Sequence, residues 1–308
     1  MSTSMPATVA LPHVVRPAEA ARLPVGLPRA PGLTAAVLAP CGSAPAADVL
    51  HQIGAALCDQ IGGLPGGGAS APLAIDGYRY TLGISRPEAC NLVDGDRFTP
   101  SPARCRRAVG LAAAGRCMLA RVSYPAAAVA AVLADAVEDV AAERDGGCGR
   151  RRPAWWADWY AGLDPAARAA AQAAAVTWAT QLWTALDWSP LRRRAAFGPP
   201  GYRWCPASGR LVLRARFDVL VRADSGPVAI IVGQGDAPGA DWRLRLGWEA
   251  LVAGLSAGPE AVPRRVVGLW PASGQVRFLP VDAAVLVDVS ERVADATAAW
   301  GVVPSATK

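Results

Sequence analysis

The stretch RLVLRARFDVLVRADSGPVAIIVGQGD, residues 210–236, contains the most regular strand pattern in the chain. Apolar and polar residues alternate over 210–222, which predicts a half-buried strand whose polar side carries Asp218. The sequence Ala-Asp-Ser-Gly at 223–226 predicts a turn, and the continuous apolar run 227–232 predicts a central, buried strand. The stretch therefore predicts a hairpin with one acid inside its first strand.

The periodicity around this hairpin predicts an α/β (α+β) domain, with a mixed sheet flanked by helices. Residues 241–255 predict the helix that follows the hairpin, because Leu244, Trp248, Leu251 and Leu255 fall on one face. The other predicted elements are helices at 46–62, 102–121, 165–188, 282–300 and from Pro125 to Gly146, a β-hairpin at 71–84, and strands at 201–205, 264–270 and 275–280.

Composition divides the chain into three parts. Residues 1–45 are rich in Pro and Ala without periodicity, which predicts a disordered or loosely held tail. Residues 46–95 predict an extension made of a helix and a β-hairpin, whose turn is Asp76-Gly77. Residues 96–308 predict the main domain, with a core over about 165–281.

Charge and residue inventory limit the possible chemistry. The chain has 308 residues, a formal net charge of +6 and a pI of about 9.2, which permits contact with a polyanion. An arginine-rich, high-GC coding sequence would give the same balance without any function. The single lysine is Lys308, and the two histidines are His13 and His51. This inventory excludes a Ser-His-Asp triad, a His-rich zinc site and a Schiff-base lysine in the C-terminal half.

Cysteine usage and hydropathy bear on the compartment. The seven cysteines form no C-x-x-C pair, and their number is odd, so neither a disulfide framework nor an iron–sulfur cluster is expected. The chain has no run of 18 apolar residues and no signal-peptide pattern at its start. We therefore expect a cytoplasmic protein without a membrane span. The sequence leaves its oligomeric state open.

The predicted order helix, strand, strand, helix, strand, strand, helix, with Asp218 in the hairpin, resembles the PD-(D/E)XK nuclease superfamily, and within it the RecB-like branch. The resemblance covers about 165–281. Residues 98–117, FTPSPARCRRAVGLAAAGRC, are also similar to the opening helix of that branch. The resemblance implies two acids that hold one or two divalent metals, and a lysine that orients the attacking water.

The residues at these positions depart from the family pattern. Asp218 matches the first acid, but Val232 stands at the second and cannot bind a metal. Gln234 stands at the lysine's position, where it can orient water but supplies no charge. Leu244 and Trp248 stand where RecB-like members carry glutamine and tyrosine. These departures favour a degenerate nuclease, not an enzyme and without a cofactor, that binds DNA, RNA or a protein partner in DNA processing or defence.

Two alternatives remain open. In the first, a catalytic acid has moved, and Asp218 holds Mg²⁺ or Mn²⁺ with Glu249 or Asp236 in an active nuclease assisted by Gln234. The acids also have ordinary interpretations: Asp236 as a turn residue, Asp241 as a helix N-cap, Glu249 paired with Arg245, and Asp218 paired with Arg214 or Arg216 on its own strand face. In the second alternative, the chain is a structural or interaction protein without a nucleic-acid role.

Several arginines are candidates for nucleic-acid contact. GCGRRRPAWWADWY, residues 147–160, interleaves arginine with tryptophan, as in surfaces on which single strands stack. Tryptophans packed on the core, with the arginines in water, would give the same pattern. Arg192 to Arg194 could meet phosphates or form a solvated helix end. The candidate nucleic-acid-binding residues are Arg150, Arg151, Arg152, Trp155, Trp156, Arg192, Arg193, Arg194, Arg214 and Arg216.

Overall fold

A computed structural model of the protein shows a mixed α+β chain, which confirms the predicted α/β class. It describes residues 31–42, 44–62, 73–76, 102–119, 124–144, 154, 156–205, 211–233 and 237–301. The helices are α1 (Pro31–Leu38), α2 (Ala47–Gly62), α3 (Pro102–Met118), α4 (Pro125–Arg144), α5 (Ala157–Ala161), α6 (Pro165–Ala185), α7 (Trp242–Ala257) and α8 (Ala283–Gly301), with a 3₁₀ turn at Pro259–Ala261. None of them combines the length and apolarity that a bilayer span requires.

The strands form two sheets. They are β1 (Leu73–Asp76), β2 (Ala195–Phe197), β3 (Tyr202–Trp204), β4 (Leu211–Ala215), β5 (Val219–Ala223), β6 (Gly226–Val232), β7 (Arg265–Trp270) and β8 (Gln275–Pro280). The larger sheet has the order β2-β5-β6-β7-β8 and the smaller one β1-β4-β3. In the larger sheet β6 and β7 are parallel, joined through α7, and the other pairs are antiparallel. This is the mixed sheet that the sequence predicts.

The predicted single strand over 210–222 is wrong. The chain breaks at 216–218, so that β4 belongs to the smaller sheet and β5 to the larger one. Phe217 is fully buried at the break and meets Tyr202 edge-on, with ring centroids 5.4 Å apart. The alternation continues across the break because β4 buries Leu213 and Ala215 in one core cluster, and β5 buries Val219 and Val221 in another. The sequence therefore shows no sign of the change of sheet.

Three hydrophobic clusters hold the elements together. The first lies among α2, α7 and α8, the strands β3 and β4, and one face of the larger sheet. The second lies on the larger sheet beneath α1 and α6, and the third is formed among the helices α3 to α6. Within the first, α7 is buried on every side from Leu246 to Gly254, which exceeds the one-sided stripe expected from its sequence.

The interpretation of residues 1–45 as a tail is wrong for residues 31–42. Val37 of α1 is fully buried in the second cluster. Thr34 Oγ1 donates to the carbonyl oxygen of Asp187 and accepts from its N–H, each at 3.0 Å. Arg265 donates to the carbonyl oxygen of Ala36. Within this stretch rich in Pro and Ala, a short helix packs its Leu33, Val37 and Leu38 in the second cluster.

The described parts of the predicted extension at 46–95, which are α2 and β1, pack against the main domain. Leu50, Ile53 and Leu57 of α2 are buried in the first cluster, and α2 packs against α8. Strand β1 pairs in parallel with β4, with Leu73 opposite Leu211. The second half of the hairpin predicted at 71–84 lies outside the described residues.

Candidate functional site

The candidate site is built around Asp218, at the junction where the chain passes from β4 to β5. Its side chain is 5% exposed. The backbone is fixed on both sides: the Asp218 N–H donates to the carbonyl oxygen of Ile230 at 3.1 Å, and the N–H of Gly198 donates to the Asp218 carbonyl oxygen at 2.8 Å. The carboxylate is thus held against the end of β6.

Arg107 of α3 joins Asp218 to Val232. Its Nη2 forms an ion pair with Asp218 Oδ2, and its Nε donates to the carbonyl oxygen of Val232 at 3.1 Å. The Val232 N–H completes the ring by donating to Asp218 Oδ2 at 2.7 Å. Only 12% of the Arg107 side chain is exposed. A guanidinium therefore lies between Asp218 and Val232, the two residues that the resemblance places at the acid positions.

Close helix packing brings Arg107 to this place. A Cβ at Gly110 would lie 2.2 Å from Cε3 of Trp178 on α6, and a Cβ at Gly115 would lie 3.2 Å from Cβ of Phe197 on β2. The backbone of α3 can approach both neighbours because these residues lack a Cβ. Arg107 lies one turn before the residues of α3 that pack in the second cluster, Leu111, Ala114 and Met118.

Sequence reasoning missed Arg107. The signal that could have found it is an arginine on the sheet-facing stripe of α3, because such a position normally carries an apolar residue. The partner predicted for Asp218 is wrong: Arg214 and Arg216 are exposed, whereas Asp218 is buried against Arg107. The break between β4 and β5 explains the difference, because it turns the Asp218 side chain away from the exposed face of β4.

No protein-family model matches the chain, and no curated protein or solved structure matches it. A function must therefore be argued from the residues of the site.

Glu249 of α7 is the second acid that sequence reasoning placed at the site. It is buried, with 2% of its surface exposed, and its Oε2 accepts the N–H of Arg216 at 2.7 Å. Glu249 thus holds the backbone two residues before Asp218. The predicted N-cap Asp241 makes no side-chain capping bond to α7. Gln234 and Asp236 lie outside the described residues.

The described residues do not fit a divalent metal at Asp218. Val232 offers only backbone groups at the second acid position, and Asp218 Oδ2 is already engaged by Arg107 and the Val232 N–H. Among the described residues, no three His, Cys, Asp or Glu side chains are grouped as ligands. A guanidinium stays protonated in proteins, so a dication at this place would meet a fixed positive charge.

The predicted nucleic-acid contacts fall into different environments. Trp156 is 5% exposed and packs in the third cluster, which corrects its predicted role as a stacking residue. Arg192 donates from Nε to the carbonyl oxygen of Met118, and Arg194 pairs with Asp224 at 2.9 Å. The side chains of Arg193, Arg214 and Arg216 are exposed, and Arg150, Arg151, Arg152 and Trp155 lie outside the described residues.

The buried thiols of α3 give a direct test of its packing. Burial raises the pKa of Cys105 to about 11 and also raises the pKa of Cys117. A thiol with a pKa near 11 is about 0.1% thiolate at pH 8, and the thiolate is the reactive form. We expect iodoacetamide at pH 8 to modify the exposed Cys205 and to leave Cys105 and Cys117 intact until urea unfolds the protein.

Peptide mass mapping before and after unfolding measures this difference. Equal labelling of Cys105 and Cys205 in the native protein would contradict the packing of α3 described above.

Proposed function

We propose that the protein is a PD-(D/E)XK-type nuclease fold that binds nucleic acid and does not cleave it. The single observation that carries the proposal is Arg107, whose guanidinium contacts Asp218 and Val232 together. In the family pattern the residues at these two positions hold the metal. In this protein the positive charge between the two positions is the guanidinium of Arg107, and Asp218 has a structural role.

The fold supports this relationship. From α6 onward the chain has a helix, the three strands β2, β5 and β6 in antiparallel succession, the crossover helix α7 and the parallel strand β7. The short strands β3 and β4 are inserted between β2 and β5. The order is that of the predicted elements with two differences: β2 precedes the predicted strand at 201–205, and the strand predicted over 210–222 is divided into β4 and β5.

The net positive charge of the chain favours a nucleic-acid partner over an uncharged one. The formal net charge is +6, and arginines supply almost all of the cations. Arginine binds phosphate through a planar fork of donors and keeps its charge at every physiological pH. We propose that the protein acts in DNA processing or defence. A protein partner is the alternative that the experiment below separates from it.

The test incubates the purified protein with labelled single- and double-stranded DNA and RNA. Mg²⁺ or Mn²⁺ is present, at about 50 and 200 mM salt. We expect retention of at least one probe, weaker at the higher salt because released counterions drive the binding, and no cleavage. The probe that is retained best identifies the preferred nucleic acid.

Two results would overturn the proposal. Metal-dependent cleavage that disappears in Asp218→Asn would show an active nuclease with a relocated acid. Cleavage that persists in Asp218→Asn would point to a contaminating nuclease, and the preparation would then be repeated. Absence of retention at both salt concentrations would leave the structural or protein-binding alternative.

A further inference from the structure

Three arginines lie on the outer side of the strand pair β3–β4. Arg203 of β3 is directly opposite Arg214 of β4, and Arg216 follows two residues later, beside the turn that contains Gly198 and Gly201. All three are exposed. The alternate residues of the same strands point inward and pack in the first cluster. We call Arg203, Arg214 and Arg216 the arginine face.

Helix α7 anchors the backbone of each of these arginines. Ser256 Oγ accepts the N–H of Arg203 at 3.3 Å and donates to its carbonyl oxygen at 3.0 Å. The other two anchors are Trp248 Nε1, which donates to the Arg214 carbonyl oxygen at 3.0 Å, and Glu249 Oε2, which accepts the Arg216 N–H at 2.7 Å. The arginine face is therefore presented from a backbone that is already fixed, which reduces the ordering that binding would require.

The fold itself gains nothing from this placement. Like charges directly opposite each other on paired strands destabilise a sheet. In the part of the chain that the structure describes, none of the three arginines forms an ion pair with an acid. The position on β1 in register with Arg214 carries one acid, Asp76, so an excess of positive charge remains. An external anion would remove the repulsion.

We propose that the arginine face binds the phosphate backbone of the nucleic acid. This inference rests on the proposed function and names the surface that performs it. The guanidinium groups project from neighbouring positions on two strands about 4.8 Å apart, and long side chains let them reach successive phosphates. Contacts to phosphate fix a protein on a nucleic acid without reading its sequence. The surface is thus suited to binding that is independent of sequence.

The test compares two triple variants that lose the same charge. The first replaces the arginine face: Arg203→Gln, Arg214→Gln and Arg216→Gln. The matched control replaces three exposed arginines elsewhere: Arg222→Gln, Arg277→Gln and Arg292→Gln. Fluorescence anisotropy of a labelled 20-nucleotide single strand and a 20-base-pair duplex gives Kd over a series of salt concentrations. Circular dichroism and thermal melting check that each variant is folded.

We expect the arginine-face variant to bind more than about tenfold more weakly at low salt. The slope of log K against log salt should fall by about 2–3, since each lost phosphate contact removes about 0.7–0.9. The control should retain most of the affinity of the wild type. Removal of the like-charge pair should leave the melting temperature of the arginine-face variant equal to that of the wild type or slightly higher.

The outcomes separate the inference from the function on which it rests. If the wild type binds and the arginine-face variant binds equally well, or the control loses as much affinity, the inference is overturned and the proposed function stands. Absence of wild-type binding overturns both. Polyglutamate of equal charge is included as a competitor: if it competes as well as the nucleic acid, the arginine face serves an acidic protein partner instead.

Discussion

Arg107→Met is expected to destabilise the protein by about 3–5 kcal/mol, because it removes one partner of a buried ion pair and leaves the Asp218 carboxylate in a poorly solvated position. Asp218 is 5% exposed, and its Oδ2 would lose the guanidinium while keeping the bond from the Val232 N–H. The carbonyl oxygen of Val232 would lose the Nε donor. Methionine has a similar volume and length, so the change reports lost charge and hydrogen bonds more than lost packing.

Urea unfolding, followed by circular dichroism, measures this free energy. The control is the double variant Arg107→Met/Asp218→Asn, in which both charges of the pair are removed. Its asparagine can still accept the Val232 N–H through the amide oxygen. We expect the double variant to be more stable than Arg107→Met alone, which gives a coupling energy of about 1–3 kcal/mol in the double-mutant cycle.

A loss of less than about 1 kcal/mol for Arg107→Met would mean that the pair contributes as little as a solvated one. The proposed function would then lose the observation that carries it. The result also decides between the roles of Asp218. An acid that serves catalysis is commonly held at the expense of stability, whereas an acid that serves the fold stabilises it.

The sequence predicts the long periodic elements well, since one residue pattern and one environment determine each of them. The stripe predicted for α4 is Val129, Val132, Leu133, Val137 and Val140, and it packs in the third cluster, where Val137 alone of the five is only partly buried. Strands β7 and β8 begin and end within one residue of their predicted bounds. The prediction fails where one continuous residue pattern spans two structural environments. The alternation through Phe217 is the example, because it continues while the chain passes from one sheet to the other.

The site could be predicted only in part, for a related reason. Asp218 stands out as the acid in its strand pattern, but its partner Arg107 is 111 residues away in sequence and belongs to helix α3. The sequence around neither residue indicates that the two side chains pair. Sequence spacing instead suggested Arg214 and Arg216, which are nearer in the chain and belong to the opposite side of the strand. The buried anchoring role of Glu249 is equally non-local, because it depends on α7 lying beneath β4.

Gly110→Ala is expected to destabilise the protein by about 3 kcal/mol, at the upper end of the range for an overpacked core. The new Cβ would lie 2.2 Å from Cε3 of Trp178, whose ring is 4% exposed and has no room to yield. Helix α3 would have to move away from α6. The matched control is Gly115→Ala on the same helix, where the nearest atom is Cβ of Phe197 at 3.2 Å.

Both substitutions gain helix propensity of about 1 kcal/mol, so the difference between their unfolding free energies compares the packing against α6 at Gly110 with the packing against β2 at Gly115. We expect Gly115→Ala to lie within about 1 kcal/mol of the wild type. Equal stabilities of the two variants would mean that α3 and α6 are farther apart than described.

The same substitution tests how Arg107 is held. If Gly110 positions α3, its replacement displaces Arg107 from Asp218, and Arg107→Met should then cost less in the Gly110→Ala background than in the wild type. Additive effects would mean that the ion pair survives the displacement of the helix, through the length of the arginine side chain. A reduced cost would show that the close approach at Gly110 is the reason why a guanidinium, rather than solvent or a metal ion, faces Asp218.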